Sequence, residues 1–149
     1  MPYLSTKTFG HEIGLSCAFR QWRADSHCRL IHGYALSFKF VFEANDLDVR
    51  NWVVDFGGLK PLKAILEDTF DHTLLVAADD PKKEVILDLD RKHGLARVIE
   101  VENTGCEATA QLVFEVTEQW IKDAGYGSRV RLVSVEVSEH GANSAIYMK

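Results

Sequence analysis

The 149 residues include 46% hydrophobic and 26% charged side chains, with 10 Gly and 3 Pro. That balance excludes a disordered or collagenous chain and fits a single domain over 1–149 with a sizeable core. Seventeen Lys plus Arg against 22 Asp plus Glu leave a charge of -5 with no long basic run, which argues against nucleic acid as a partner. No apolar run approaches the roughly 20 residues that span a bilayer, so no membrane partner is expected. The start, Met1 to Lys7, lacks the apolar stretch of a secretory signal, and the expected localisation is cytoplasmic. Cys17, Cys28 and Cys106 are odd in number and form no CxxC, which fits free thiols in a reducing compartment.

In chain order, a less regular strand is expected within residues 5 to 19. Residues 33 to 43 then put Tyr34, Leu36, Phe38, Phe40 and Phe42 on one face of a clear strand. His32 has the same parity, so a strand extended backward sets its imidazole on the side of Tyr34. Leu59, Leu62, Leu66 and Phe70 recur at helical spacing, with Pro61 near the start, where a missing N–H does little harm. Residues 79 to 103 are charge-rich and irregular, with a helical turn and a short strand near Arg97 to Val101. Ala108, Leu112, Val113, Val116, Trp120 and Ile121 mark a second helix that ends near Gly125. A strand from Arg129 to Glu139 alternates Val133, Val135 and Val137 with Ser134, Glu136 and Ser138, so Glu139 ends an apolar stripe. A short strand from Ser144 to Met148 closes the chain. The order predicts an α+β fold with two helices packed on one face of an antiparallel sheet.

Four places carry residues suited to chemistry. In His27-Cys28-Arg29-Leu30-Ile31-His32 a thiol has imidazoles nearby and Arg20, Arg23 and Arg29 around it, a setting that favours the reactive thiolate. Asp71-His72 ends the first helix, and a carboxylate that fixes an imidazole tautomer makes an acid/base pair near neutral pH. Neighbours on a helix do not face each other, so that pair needs a bend in the chain. Glu139, at the end of its stripe, offers a carboxylate that accepts paired N–H donors from a guanidine-like heterocycle edge. Asn103-Thr104-Gly105-Cys106-Glu107 precedes the second helix and either caps it or lines a site. Ordinary structural roles stay open for the other three as well: a buried Cys, a helix-terminal His and a solvated Glu in a turn.

In order and spacing, these places resemble the family of 6-pyruvoyltetrahydropterin synthases and bacterial 6-carboxytetrahydropterin synthases. The match runs through Cys28, His32-Gly33, Val54-Asp55-Phe56, Asp71-His72, Cys106-Glu107 and Glu139, over nearly the whole chain. The resemblance implies the tunnelling fold: a four-stranded antiparallel sheet with two helices on one face in the order ββααββ. It also implies trimers or dimers of trimers with sites between subunits. It makes Cys28 the proton-transferring thiol, Asp71 and His72 its relay, and Glu139 the pterin anchor, so Cys28, Asp71, His72 and Glu139 form the expected catalytic set. Glu107, Cys106, Arg20 and Tyr34 join Glu139 as expected substrate-binding residues, and Arg20, Arg23 and Arg29 are candidates to hold a triphosphate.

The zinc ion implied by the resemblance takes three histidines, and only His32 stands at one of those positions. Phe19 and Tyr34 occupy the other two. One imidazole and a phenol do not make the open three-ligand site of a catalytic zinc, though His11, His27, Cys17 or His140 are candidates to rebuild one. The reading that results is a pterin-converting lyase resembling 6-carboxytetrahydropterin synthase. It would act on 7,8-dihydroneopterin triphosphate in 7-deazaguanine (queuosine-type) synthesis, with Tyr34 or Arg20 donating to developing oxyanion charge in place of the metal. The alternatives are an activity giving a 6-hydroxymethyl product and a non-catalytic oligomer that binds a pterin or purine.

Overall fold

A computed structural model describes residues 1–149. Its centre is β3 (His32–Ala44), which pairs antiparallel on one side with β1 (Tyr3–Phe9) and β2 (Leu15–Phe19), and on the other with β6 (Arg131–His140). β1 and β2 are two halves of the irregular first strand, parted by a 3-10 turn at His11–Ile13 that Gly14 ends with a left-handed φ of 76°. β7 (Asn143–Met148) pairs antiparallel with β6 and completes the four-stranded frame.

The apolar stripe of β3 is placed as expected. Phe38, Phe40 and Phe42 are fully buried under α1 (Lys60–Phe70) and α3 (Cys106–Asp123), and Leu62, Leu66 and Phe70 of α1 meet them in one core. The Phe38 ring lies 5.0 Å from that of Phe70, tilted by 36°. Phe38→Ala is therefore expected to cost about 3 to 5 kcal/mol, lost ring burial plus a cavity, read as a lower denaturant midpoint at unchanged slope.

Two details of the expected pattern shift. The buried face of α3 runs through Cys106, Thr109, Ala110, Val113, Phe114, Thr117 and Ile121, while Val116 is exposed. Two buried threonines hid that face from an apolar periodicity. In β6 the register slips between Val41 and Phe42 of β3, a bulge that turns Leu132 rather than Val133 into the core.

Between the two expected helices the irregular segment is itself ordered. β4 (Thr73–Ala77) lies parallel to β2 and β5 (Val98–Val101) parallel to β4, joined by α2 (Lys83–Arg91), so the sheet is lengthened on the β2 side. Leu75 of β4 enters the main core, whereas Leu74 and Val76 pack with Ile86 of α2. The third helix thus covers the face opposite α1 and α3. No helix is long and apolar enough to cross a membrane.

Candidate active site

The loop from β2 to β3 carries Cys28 in a 3-10 turn, His27–Arg29, that Ser26 caps by accepting from the Cys28 N–H. Beyond it, β3 begins with His32, Gly33 and Tyr34, and the register sets Phe19 opposite His32 and Cys17 opposite Tyr34. The rings gather on one side: Phe19 lies 5.8 Å from His32 and 6.4 Å from Tyr34, and His32 meets Tyr34 edge-on at 5.4 Å. His140, at the end of β6, sits 6.1 Å from Tyr34.

Glu139 arrives at the same wall from β6. The β3–β6 pairing ends at Ser37 and Ser138, and Glu139 follows at a register irregularity of β6, next to the first residues of β3. Burial, the Glu139 carboxylate and the nearby Cys28 sulfur all raise the Tyr34 phenol above its ordinary range, which keeps it a neutral donor. From the third direction comes Cys106, at the start of α3. Burial and the Glu139 carboxylate push its thiol up to about 12. Gly105 makes that approach possible: its φ is 106°, and a Cβ there would lie 2.0 Å from Gln21 Nε2. One chain therefore sets Glu139 beside Tyr34 and Cys106, with Cys28 on the exposed turn near Tyr34 and Glu107 exposed at the rim.

Asp71 and His72 are placed elsewhere. Asp71 ends α1 in an extended conformation, and His72 follows in the left-handed region at φ 54°, the bend that lets neighbours meet. His72 Nδ1 lies 2.7 Å from Asp71 Oδ1, with the His72 side chain 86% exposed. Arg97, which the sequence did not single out, donates to the Glu67 and Asp71 carbonyls and holds this corner. The next residue, Thr73, pairs with Cys17 of β2, whereas the Cys28 carbonyl accepts from the Gln21 N–H beyond the end of that strand. Within one chain no hydrogen bond joins the dyad to the thiol.

Arg20 is also not free for substrate. Its Nε and Nη2 donate to the two oxygens of Asp80 at 2.8 and 2.6 Å, and Nη1 to the Arg29 carbonyl at 3.3 Å. Arg23 pairs with Asp79 at 2.7 Å, and Arg29 donates to the Ser26 carbonyl at 3.3 Å. Arg20 is thus engaged within the loop, while Arg23 and Arg29 remain exposed with one nitrogen each in a hydrogen bond. Next to them a groove of about 430 Å³ opens between Arg29, Leu30, Ile31, Lys82 and Val85.

The hydrogen bonds from Arg20 hold the Asp80 carboxyl below its ordinary range despite burial. A folded pKa below the unfolded value of about 3.9 stabilises the protein at neutral pH and is lost as pH falls below about 4. Stability is expected to drop between about pH 5 and about pH 3. In Asp80→Asn the contribution of this group to that drop is expected to vanish, read from urea midpoints at the two pH values.

The positions that resemblance assigns to zinc do not fit the metal. Phe19 has no donor atom, and His32 Nδ1 is engaged with the Leu30 carbonyl at 2.7 Å. Of the other candidates, His11 Nδ1 bonds the Ala35 carbonyl and Cys17 is buried against Thr73.

Comparison with known proteins bears on this arrangement. Residues 10–149 match the family model described as 6-pyruvoyl tetrahydropterin synthase. The chain is 24% identical to a 6-carboxy-5,6,7,8-tetrahydropterin synthase of Aquifex aeolicus, over 99% of this chain and 98% of that one. In fold it is similar to an uncharacterised protein of Wolinella succinogenes (TM-score 0.83, 20% identity, 99% and 98% of the two chains covered). It is also similar to the 6-pyruvoyl tetrahydropterin synthase of Plasmodium falciparum (TM-score 0.71, 13% identity, 99% and 98% covered). With 140 of its 149 residues inside the family model, and with the frame described above, this chain belongs to the 6-pyruvoyl tetrahydropterin synthase family.

Proposed function

We propose that this chain is a pterin-converting lyase resembling 6-carboxytetrahydropterin synthase, acting on 7,8-dihydroneopterin triphosphate within 7-deazaguanine (queuosine-type) synthesis. The observation that carries the reading is Glu139 set beside Tyr34 and Cys106, with Cys28 near Tyr34, in a chain that matches the family model over residues 10–149. The Glu139 carboxylate accepts the N–H edge of the pterin, with Cys106 packed against it and Glu107 at the rim. In its thiolate form Cys28 takes a proton from the substrate side chain, and the neutral Tyr34 hydroxyl donates to the oxygen on which charge develops. Arg20 is spent on Asp80, so Tyr34 alone fills that role.

Asp71 and His72 complete the site from another subunit. His72 Nδ1 is fixed on Asp71, which leaves Nε2 of an exposed ring to meet the Cys28 of a neighbour. The frame has open edges for such an assembly: β1 pairs only with β3, β7 only with β6, and Leu4, Ile146 and Met148 are exposed there. A trimer or a dimer of trimers would weigh three or six times the 16.8 kDa of one chain.

The test is turnover of 7,8-dihydroneopterin triphosphate with product identification, followed by subunit mixing. Cys28→Ala and His72→Ala chains are each expected to be inactive. Refolded together at random they should regain about a quarter of the sites, because half the thiols are intact and half of those face an intact imidazole. A carboxypterin product with this recovery supports the reading. Tight pterin binding without any product favours the second reading, a non-catalytic binder, which the filled aromatic wall at Phe19 and Tyr34 recommends. A 6-hydroxymethyl product would make the chain an aldolase-type enzyme instead.

A further inference from the structure

The loop that carries Cys28 is tied to the turn between β4 and α2 by more contacts than a surface loop needs. Asp80 sits in that turn with its side chain 1% exposed, against 21% for Arg20. Both of its oxygens accept from Arg20, and Oδ1 also accepts the Lys82 N–H at 2.8 Å, at the entry to α2. Arg20 is thereby held flat, and its remaining nitrogen reaches the carbonyl of Arg29, the residue after Cys28. Asp79 repeats the arrangement at the rim, accepting from Trp22 Nε1 at 3.1 Å and from Arg23 at 2.7 Å. Across the loop base, Thr104 donates to the Arg20 carbonyl at 2.8 Å and Gln21 N–H to the Cys28 carbonyl at 2.8 Å.

We infer that Asp80 and Arg20 are positioning residues: a buried bidentate pair that fixes the Cys28 turn against the β4–α2 corner and so sets the place of the thiol relative to Tyr34 and Glu139. The geometry favours this over a merely stabilising ion pair. The guanidinium bridges two elements far apart in sequence, and its far end is spent on the backbone next to the thiol. A planar fork is the side chain suited to that double task, and a lysine ammonium, a point charge, cannot hold both ends. The placement of a reacting group to within about 1 Å is worth on the order of 100-fold in rate, so a loosened turn should show in turnover before it shows in binding. The part of the inference that concerns rate rests on the lyase reading above; the part that concerns the loop does not.

The experiment compares Asp80→Asn, Asp80→Glu and Arg20→Lys with the parent chain. The first readout is native-state cleavage by trypsin, mapped by mass. In Asp80→Asn and Arg20→Lys, cleavage after Arg23 and Arg29 is expected to speed up at least about tenfold while the rest of the chain resists, as for a segment that opens locally. The second readout is kinetic: kcat is expected to fall about tenfold or more with KM within about threefold, the pattern of a misplaced catalytic group. Asp80→Glu, which keeps the charge and both oxygens, is expected to recover part of each effect. Should Asp80→Asn fail to fold, Arg20→Lys keeps the buried charge balanced and carries the test. Folded variants with parental cleavage and parental kcat overturn the inference, and so does a loss of activity confined to KM. Absence of turnover in the parent would sink the lyase reading while the cleavage pattern still decides whether the pair holds the loop.

Discussion

Glu139→Gln is expected to weaken pterin binding about 100-fold, whereas Cys28→Ala binds as the parent does and forms no product. The carboxylate presents two acceptor oxygens to a ligand edge that only donates, and the amide replaces one of them with a donor. A charge-assisted hydrogen bond contributes about 1.5 to 3 kcal/mol, and an N–H left facing another N–H adds its desolvation cost. About 2.7 kcal/mol is 100-fold in affinity. Glu139 stands half-buried beside Tyr34 and Cys106, so water does not simply replace the lost acceptor. Cys28 lies on an exposed turn, and removing its sulfur takes away the proton acceptor without touching the anchor. Titration of pterin fluorescence on both variants, with product analysis on the second, checks the pair. Product formation by Cys28→Ala would remove the thiol from the mechanism, and unchanged binding by Glu139→Gln would remove the anchor.

The second large effect concerns the metal. Phe19→His combined with Tyr34→His is expected to convert a chain without a ligand set into one that keeps about one zinc per subunit through desalting. Together with His32 these positions share one face of β2 and β3, with ring centroids 5.4 to 6.4 Å apart. Three imidazoles so placed need only rotamer changes to converge on an ion at about 2.0 to 2.1 Å. The cost is at Phe19, which is 2% exposed and belongs to the main core, so the double variant should be less stable without metal. Zinc then restores part of that loss: at a free concentration 100 times the dissociation constant the gain is about 2.7 kcal/mol. Elemental analysis and melting with and without zinc decide the matter. Either single variant supplies two ligands at most and should retain little metal. A double variant that folds but shows no zinc-dependent stabilisation would mean that the wall is not a relic of a metal site.

Much of the frame was legible because burial on one face leaves a period in the sequence. The β3 stripe and the α1 spacing read directly, and the parity that put His32 beside Tyr34 and Glu139 at the end of the β6 stripe is what assembles the wall. β4 was invisible for the opposite reason: all five of its residues are buried, on two faces against two helices, so Thr73 to Ala77 show no alternation. α2 has a single buried residue, Ile86, among charges, so only a helical turn was expected where the chain forms a nine-residue helix. The same bias hid Asp80, since a carboxylate in an acidic run is ordinarily exposed, and only the partner 60 residues earlier explains its burial. The Asp71–His72 contact needed a bend, and the left-handed His72 supplies it. The place of that dyad in the sheet was not legible, because it follows from the parallel pairing of the unforeseen β4 with β2.

The pairing of Ser37 with Ser138 joins residues 101 positions apart across the middle of the sheet. On the ribosome, β3 therefore emerges with its phenylalanine stripe long before the strand that will lie beside it exists. Phe38, Phe40 and Phe42 must wait, covered at best by β1 and α1, until the last twenty or so residues are made. Long-range closure of this kind is slow, in the millisecond-to-second range of sheet-dominated domains, and leaves a strand edge bare in the meantime. Nascent and refolding chains are thus most prone to pair with one another along β3, the strand that in the finished subunit is paired on both sides from Phe38 to Glu43.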